Sequence, residues 1–276
     1  MIKSRISALF LCYTERMINL SHYQQLTNIP LLAMIAYHNQ ITDAQLDELL
    51  QPQALPPSQH EAFDRLADKL KVAIGHSEKI IVCGDYDADG ICSTAILVKT
   101  LRDAGGHVGF YIPHRVDDGY GLSVAIVNSA LEKGYLHFVL VDNGVSAYAA
   151  LAAIHAGKAK AYILDHHEIT TPPECDELIH PDFLEAPYRD ACGSGLAYQL
   201  SVRFGYQPYL LSLAALATIA DVVDLWGYNR WLVREGLAIL NAQRFEPLVA
   251  LLDRFEPIDE TTVSFQLVPK INAIDR

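Results

Sequence analysis

Short apolar runs alternate with longer helical stretches through the middle of the chain, and this alternation is the strongest constraint on the fold. The runs are rich in β-branched and aromatic residues, whereas the stretches between them are rich in Ala and Leu. The runs cover residues 80–83, 108–112, 138–141 and 161–164, and the stretches cover residues 93–104, 123–133 and 146–156. Such alternation is typical of βαβ units. It predicts an α/β fold in which a mostly parallel sheet is flanked by helices.

The segments on either side of this alternation are predicted to be helical. Residues 31–50 repeat apolar side chains at helical spacing, and Thr42 with Gln45 forms a candidate capping box. Three prolines within residues 51–59 interrupt that pattern. After Leu178 the sequence predicts three further helices, over residues 193–205, 210–225 and 229–242. We therefore expect an N-terminal helical segment over residues 1–58, an α/β domain over residues 59–228 and a helical connector over residues 229–276.

Composition narrows the classes of function. The chain has 276 residues, of which 33 are acidic and 21 are Lys or Arg, giving a formal net charge of −12. This balance argues against nucleic-acid binding through a broad basic surface, although bound cations can invert a local field. The five cysteines show no CxxC spacing, which favours reduced thiols in a cytoplasmic protein. The apolar run at residues 6–13 is shorter than the ~20 residues of a membrane span, so we expect no membrane as a partner.

The turn after the first apolar run concentrates three carboxylates. Asp85, Asp87 and Asp89 alternate along GDYDADG and are followed by Gly90. A calcium-binding EF-hand begins in the same way, but it requires an acid at the position that Ile96 occupies. Like charges this close to one another repel. The loop is therefore either a solvated acidic turn or a metal site.

Three further segments place polar residues at the ends of predicted elements. Asp142 lies in VDNG after the third run, where a turn is the alternative explanation. LDHHE after the fourth run supplies His166 and His167 as candidate ligands, with Asp165 positioned to hold one imidazole tautomer. Asp221 ends an apolar helix, where the helix dipole disfavours an acid. In an open parallel sheet the ligand site lies at the carboxyl ends of the strands, where most of these residues fall.

Together these residues offer many oxygen donors and one or two imidazoles. Hard carboxylates combined with imidazole suit Mn²⁺ or Mg²⁺. The number of donors is sufficient for two ions, with Asp142 as the bridging carboxylate. Two such ions can activate water and stabilise both oxygens of a phosphoryl displacement. The residues therefore predict metal-dependent phosphoester chemistry.

Four motifs resemble those of the DHH phosphoesterase superfamily in order and spacing: GDYDADGICST, VDNG, LDHH and ATIADVVDL. The segments PHRVDDGYGLS, HPD, GSGLAYQL and LVPKINAIDR are similar to those of RecJ-type single-strand-specific 5′→3′ exonucleases. The resemblance covers about residues 60–276. It implies a two-metal phosphodiesterase, with Mn²⁺ or Mg²⁺, that releases 5′-mononucleotides from single-stranded DNA. It also implies that the chain stops before a DHH-associated domain.

The resemblance implies roles for individual residues. It implies metal binding by Asp85, Asp87, Asp89, Asp142, His166 and Asp221, and leaves open which of the first three bind directly. We group Asp142, Asp165 and His167 as catalytic, with His167 facing the scissile phosphate as an electrostatic stabiliser or a proton donor. Substrate contacts are assigned to Arg115, His167, Lys270, Asn272 and Arg276. The last motif departs from the family pattern, because Lys270 stands where Arg is usual, and this loses bidentate phosphate geometry.

Three functions are compatible with this interpretation. The first is a RecJ-like nuclease core acting on single-stranded DNA, with a single-strand-binding protein or a helicase as a further partner. The second is a DHH phosphoesterase for short oligonucleotides or cyclic dinucleotides, which the net charge of −12 favours. The third is a non-catalytic DHH scaffold in a replication or repair assembly. The presence of every motif acid argues against the third.

Overall fold

The computed structural model describes residues 22–51, 53–114, 121–243, 245–252 and 257–273. Along the sequence the chain divides into two compact units, the first ending at Ala54 and the second beginning at Leu55. Within the described residues, no helix combines the length and the apolar character that crossing a membrane requires.

The first unit contains the helices that the N-terminal periodicity predicts. Residues 22–26 are helical, and two further helices follow, α1 (Pro30–His38) and α2 (Asp43–Leu50). The predicted capping box is present at the start of α2. The Thr42 side chain accepts a hydrogen bond from the Gln45 N–H, and the Gln45 side chain accepts one from the Thr42 N–H. The two residues therefore fix the first residue of α2.

The second unit contains a five-stranded parallel sheet, which confirms the predicted fold class. Its strands are β1 (Lys79–Cys83), β2 (His107–Tyr111), β3 (Tyr135–Val141), β4 (Lys160–Leu164) and β5 (Glu177–Ile179). They lie in the order β2-β1-β3-β4-β5, and every neighbouring pair is parallel. The chain therefore adds β2 on one side of β1 and β3 on the other, which opens a crevice at the carboxyl ends of β1 and β3. Strand β5 is not predicted by the sequence, because a strand of three residues has no detectable period.

Alternate residues of each strand face opposite sides of the sheet and build two hydrophobic cores. On one side, Ile80 and Val82 pack with α3 (Glu61–Gly75) and α4 (Ala88–Asp103). On the other side, Ile81 and Cys83 join a core that includes residues of α5 (Val124–Glu132) and α6 (Tyr148–Ala156). Burial on both faces explains why these strands form continuous apolar runs in the sequence.

The helical segment predicted after the sheet is also present. It comprises α7 (Gly193–Ser201), α8 (Pro208–Ala220), α9 (Gly227–Gln243), α10 (Glu246–Val249), α11 (Glu260–Thr262), a π-helical turn (Val263–Leu267) and α12 (Val268–Asn272). Helices α7 and α8 pack against α4. The helix predicted over residues 210–225 is shorter than expected, because it ends at Ala220 and Asp221 is its C-cap. This packing brings the end of α8 to the same region as the start of α4.

Candidate metal centre

The loop after β1 directs three acidic side chains to the carboxyl edge of the sheet. Asp87 is the N-cap of α4, and its carboxylate accepts a hydrogen bond of 2.9 Å from the Gly90 N–H. Asp85 and Asp89 are buried, with at most 4% of either residue exposed. Gly90 permits this tight turn, because a Cβ there would overlap the backbone of Asp85. The end of β1, the N-cap Asp87 and the glycine at position 90 together allow three acidic residues to lie close together in this turn.

Asp89 connects α4 to the start of α7. Its two carboxylate oxygens accept hydrogen bonds from the N–H groups of Gly193 (2.7 Å) and Ser194 (2.8 Å). The Ser194 hydroxyl donates to the Asp89 carbonyl at 3.0 Å. The first N–H groups of a helix have no partner within the helix, and the helix dipole favours an anion there. The buried charge of Asp89 is therefore stabilised by α7.

Asp142 follows β3 in an unusual backbone conformation. Its φ of 57° lies in the left-handed region, which residues with a Cβ rarely adopt. The next residue, Asn143, donates from its amide to the carbonyls of Cys83 (3.1 Å) and Val141 (2.9 Å), and so joins the ends of β1 and β3. Helix α7 approaches closely, because a Cβ added to Gly193 would lie 2.7 Å from the Asp142 Cβ. Backbone strain of this kind is concentrated at functional sites.

The turn after β4 presents two imidazoles in different ways. Asp165 is fully buried and accepts hydrogen bonds from the N–H groups of Val145 and His166 and from the ring of His167, at 3.0, 2.8 and 2.7 Å. Burial alone would raise the pKa of Asp165, but these hydrogen bonds outweigh it and the pKa is lowered. The hydrogen bond to Asp165 raises the pKa of His167, against a smaller opposing effect of burial. His180 Nε2 donates a hydrogen bond to the His167 carbonyl at 2.9 Å, which helps to fix the conformation of this turn.

The second imidazole lies among the carboxylates. His166 Nε2 is 3.1 Å from Asp142 Oδ1, 3.7 Å from Asp221 Oδ2 and 3.8 Å from Asp89 Oδ2. Ligand atoms within 4.8 Å of one another define three groups: Asp85 with Asp87 and Asp142, Asp89 with His166 and Asp221, and Asp142 with His166 and His167. Asp142 belongs to two of these groups. The arrangement can therefore hold two ions with Asp142 shared between them.

The crowding of carboxylates has an electrostatic cost. Burial raises the pKa of Asp142 well above its usual range, and the charges of Asp89 and Asp87 raise it further. Burial, followed by the charge of Asp89, raises the pKa of Asp221 to about 6. A divalent cation would remove this repulsion. The neighbouring thiols of Cys83 and Cys92 are buried, which raises their pKa and keeps them protonated, so the donor set is one of oxygen and imidazole that fits Mn²⁺ or Mg²⁺.

The structure thus brings together seven of the residues selected from the sequence: Asp85, Asp87, Asp89, Asp142, His166, His167 and Asp221. Asp165 lies behind His167 and belongs to none of the three groups. Lys270 and Asn272 lie on α12, outside these groups, and the Lys270 amine donates to the Leu251 carbonyl at 2.6 Å. Arg115 and Arg276 lie outside the described residues.

A cavity of about 260 Å³ opens beside this centre and was not predicted. It is lined by His166 together with residues of the loops after β5, before α7 and after α8: Pro181, Asp182, Arg189, Asp190, Ala191, Val223 and Asp224. These residues are far apart in the sequence. The motifs HPD, GSGLAYQL and ATIADVVDL cover or adjoin these segments in the sequence, but none of them pointed to Arg189.

The model of the DHH family, N-terminal domain, matches residues 79–221, which include all seven clustered residues. The chain belongs to the DHH family. It is 35% identical over 235 residues to the single-stranded-DNA-specific exonuclease RecJ of Bacillus subtilis, covering 80% of this chain and 29% of the relative. It is 36% identical over 237 residues to RecJ of Thermus thermophilus, covering 83% of this chain and 35% of the relative. The chain thus spans about a third of the length of these curated relatives.

A solved structure also places the chain in this family. The crystal structure of RecJ from Thermus thermophilus in complex with Mn²⁺ matches with a TM-score of 0.77 and 30% sequence identity. The match covers 93% of this chain and 39% of that one. The DHH assignment made from four short motifs is confirmed.

Proposed function

We propose that this chain is the core of a metal-dependent phosphodiesterase that releases 5′-mononucleotides from the 5′ end of single-stranded DNA. The observation that carries the proposal is the cluster of three overlapping donor groups in the crevice between β1 and β3, in which Asp142 and His166 each belong to two groups. The similarity to RecJ exonucleases supports the choice of substrate. The net charge of −12 fits a protein that meets phosphates through bound cations rather than a basic surface.

The proposal assigns a role to each clustered residue. Asp85 and Asp87 would hold one Mn²⁺ or Mg²⁺ ion, Asp89, His166 and Asp221 the other, and Asp142 both. Two bound ions supply an activated water and offset the charge of the attacking and leaving oxygens. Every donor lies at a helix end or in a turn that follows a strand, so the backbone holds the donors in position. Asn143 holds the turn that carries Asp142, and Gly193 leaves room for the Asp142 side chain.

Of the seven clustered residues, His167 is the one not assigned to an ion, and 45% of its side chain is exposed to solvent. Asp165 keeps its Nδ1 protonated and orients the ring, so Nε2 is the nitrogen that can face the metal centre. The raised pKa of His167 increases the fraction of imidazolium at neutral pH. This group would stabilise the phosphate charge or donate a proton to the leaving 3′ oxygen. Arg115, Lys270, Asn272 and Arg276 are proposed to contact the strand beyond the metal centre.

The cellular location, the process and the partners of this activity are also part of the proposal. We place the protein in the cytoplasm, acting in DNA repair or recombination, with a single-strand-binding protein or a helicase as the partner that exposes single strands. A small phosphoester, such as a short oligonucleotide or a cyclic dinucleotide, is the alternative substrate. The net charge of −12 favours that alternative, because a small anionic substrate needs no basic groove.

The test is hydrolysis of a 5′-labelled single strand in Mn²⁺ by this chain and by the variant Asp142→Ala, His166→Ala. We expect release of labelled mononucleotide that the variant lacks. The matched control is Asp68→Ala, His76→Ala, which removes the same residue types from exposed positions on and just after α3. Cleavage of dinucleotides but not of longer strands would favour the alternative substrate. Failure to cleave either substrate, despite measured Mn²⁺ binding, would refute the proposed activity for this chain.

A further inference from the structure

Arg189 is a cation placed beside the metal centre. It lines the 260 Å³ cavity, and so does His166, which also belongs to the donor groups. The Arg189 Nε donates to the Leu184 carbonyl at 3.1 Å, which anchors one side of the guanidinium. Among the described residues Arg189 forms no ion pair, although three Asp residues line the same cavity. Its terminal nitrogens are therefore available to an anionic ligand.

The walls of the cavity are held in place without a ligand. The Asn229 side chain is buried and donates to the carbonyls of Asp190 (2.7 Å) and Asp224 (3.0 Å), both of which line the cavity. Arg189 itself follows a 3₁₀ turn (Ala186–Tyr188) and lies four residues before the start of α7, which Asp89 anchors. A preformed wall reduces the entropy lost on binding.

We propose that Arg189 binds a phosphate of the substrate strand other than the one at the metal ions. This inference rests on the proposed function, because it takes the substrate to be a phosphodiester strand. A guanidinium anchored at Nε offers two parallel donors that match the oxygens of a phosphate. The acids of the cavity would repel an anion from the metal-free protein. Binding at Arg189 therefore requires the ions, whose charge reverses the local field.

The test pairs changes in the protein with changes in the strand. The strand carries a neutral methylphosphonate at one phosphate at a time, and its Mn²⁺-dependent binding to wild type and to Arg189→Gln is measured by stopped-flow fluorescence anisotropy, before the strand is cleaved. We expect Arg189→Gln to weaken binding of the unmodified strand by about tenfold. At one phosphate position, the losses of binding free energy caused by the methylphosphonate and by Arg189→Gln should not add, because each change removes the same contact. Arg189→Lys keeps the charge but loses the parallel donors. Its affinity for the unmodified strand should therefore lie between those of wild type and Arg189→Gln.

Salt dependence provides a second readout that a structural role would not change. Loss of one phosphate contact should reduce the slope of log K against log salt by about 0.7 for a single strand. The matched control is Arg102→Gln, an exposed arginine at the end of α4 that bonds to the Val108 carbonyl, and it should leave the slope unchanged.

Two outcomes would overturn the inference: additive effects at every phosphate, or an unchanged slope in Arg189→Gln. Hydrolysis of the unmodified strand by wild type is scored separately. If wild type hydrolyses the strand and Arg189→Gln binds it equally well, only the inference fails. If wild type binds the strand and shows the expected non-additive effects at one phosphate, but does not hydrolyse the strand, only the proposed activity fails. If wild type binds no strand, both fail.

Discussion

Neutralising Asp221 is expected to change the pH dependence of the stability of the metal-free chain. Burial and the charge of Asp89 raise the pKa of Asp221 from 3.8 to about 6 in the folded state. A carboxyl group with a raised folded-state pKa binds its proton more tightly when folded. Its contribution to stability is therefore fully present below pH 3.8 and is lost as the pH rises through about 6.

The size of the effect follows from that shift. Between pH 5 and pH 7.5, linkage gives a loss of about 1.4 kcal/mol in the free energy of unfolding. The Asp221 side chain is 23% exposed, so solvent screening reduces this to about 1 kcal/mol. Asp142 contributes with the same sign, because its pKa is also raised. The variant Asp221→Asn stays neutral and should lose less stability over this pH interval than wild type.

The assay is urea unfolding in EDTA at pH 5, 6, 7 and 7.5, with Asp224→Asn as the control. Asp224 is an exposed acid three residues further along, so its variant should follow the wild-type profile. Adding Mn²⁺ at 100 times its dissociation constant should stabilise wild type by about 2.7 kcal/mol at pH 7.5. Equal pH profiles for wild type and Asp221→Asn would refute the electrostatic description of the centre.

Two further predictions concern the groups that shape the centre. Gly193→Ala places a Cβ 2.7 Å from the Asp142 Cβ, so we expect Mn²⁺ affinity, measured by calorimetric titration, to fall by about tenfold with a loss of about 1–3 kcal/mol in stability. Gly75→Ala, where a Cβ meets open space, is its control, and an unaltered affinity in Gly193→Ala would contradict the close approach. Asp165→Asn should lower the pKa of His167, because the hydrogen bond to Asp165 is the largest cause of its raised value. NMR titration of the His167 ring measures this pKa, and no change on substitution would rule out that cause.

The sequence predicted the parts of the centre that depend on local order. Asp85, Asp142 and His166 lie within two residues of the ends of three strands, and parallel strands bring their carboxyl ends to one edge. Their convergence therefore follows from the alternation of strands and helices alone. Asp221 was recognised because an acid at a helix C-terminus opposes the helix dipole.

The remaining features depend on contacts between distant segments, which no local pattern encodes. The hydrogen bonds from α7 to Asp89 join residues that are 104 and 105 positions apart in the sequence. The amide of Asn143 reaches 60 positions back to Cys83. Arg189 reaches the cavity through a loop whose path is set by the packing of α7. Residue type alone could not separate these groups from ordinary surface and turn residues.

The bonding of Asp89 makes the metal centre and the start of α7 thermodynamically linked. The same carboxylate that accepts hydrogen bonds from Gly193 and Ser194 lies 3.8 Å from His166. A cation that draws on its oxygens must change their bonds to α7, and a ligand that shifts α7 must change the affinity for the cation. Such coupling is reciprocal by necessity. Because binding at Arg189 is proposed to require the ions, a strand held there would in turn raise the affinity for the ions, so that the two metals and the substrate bind cooperatively.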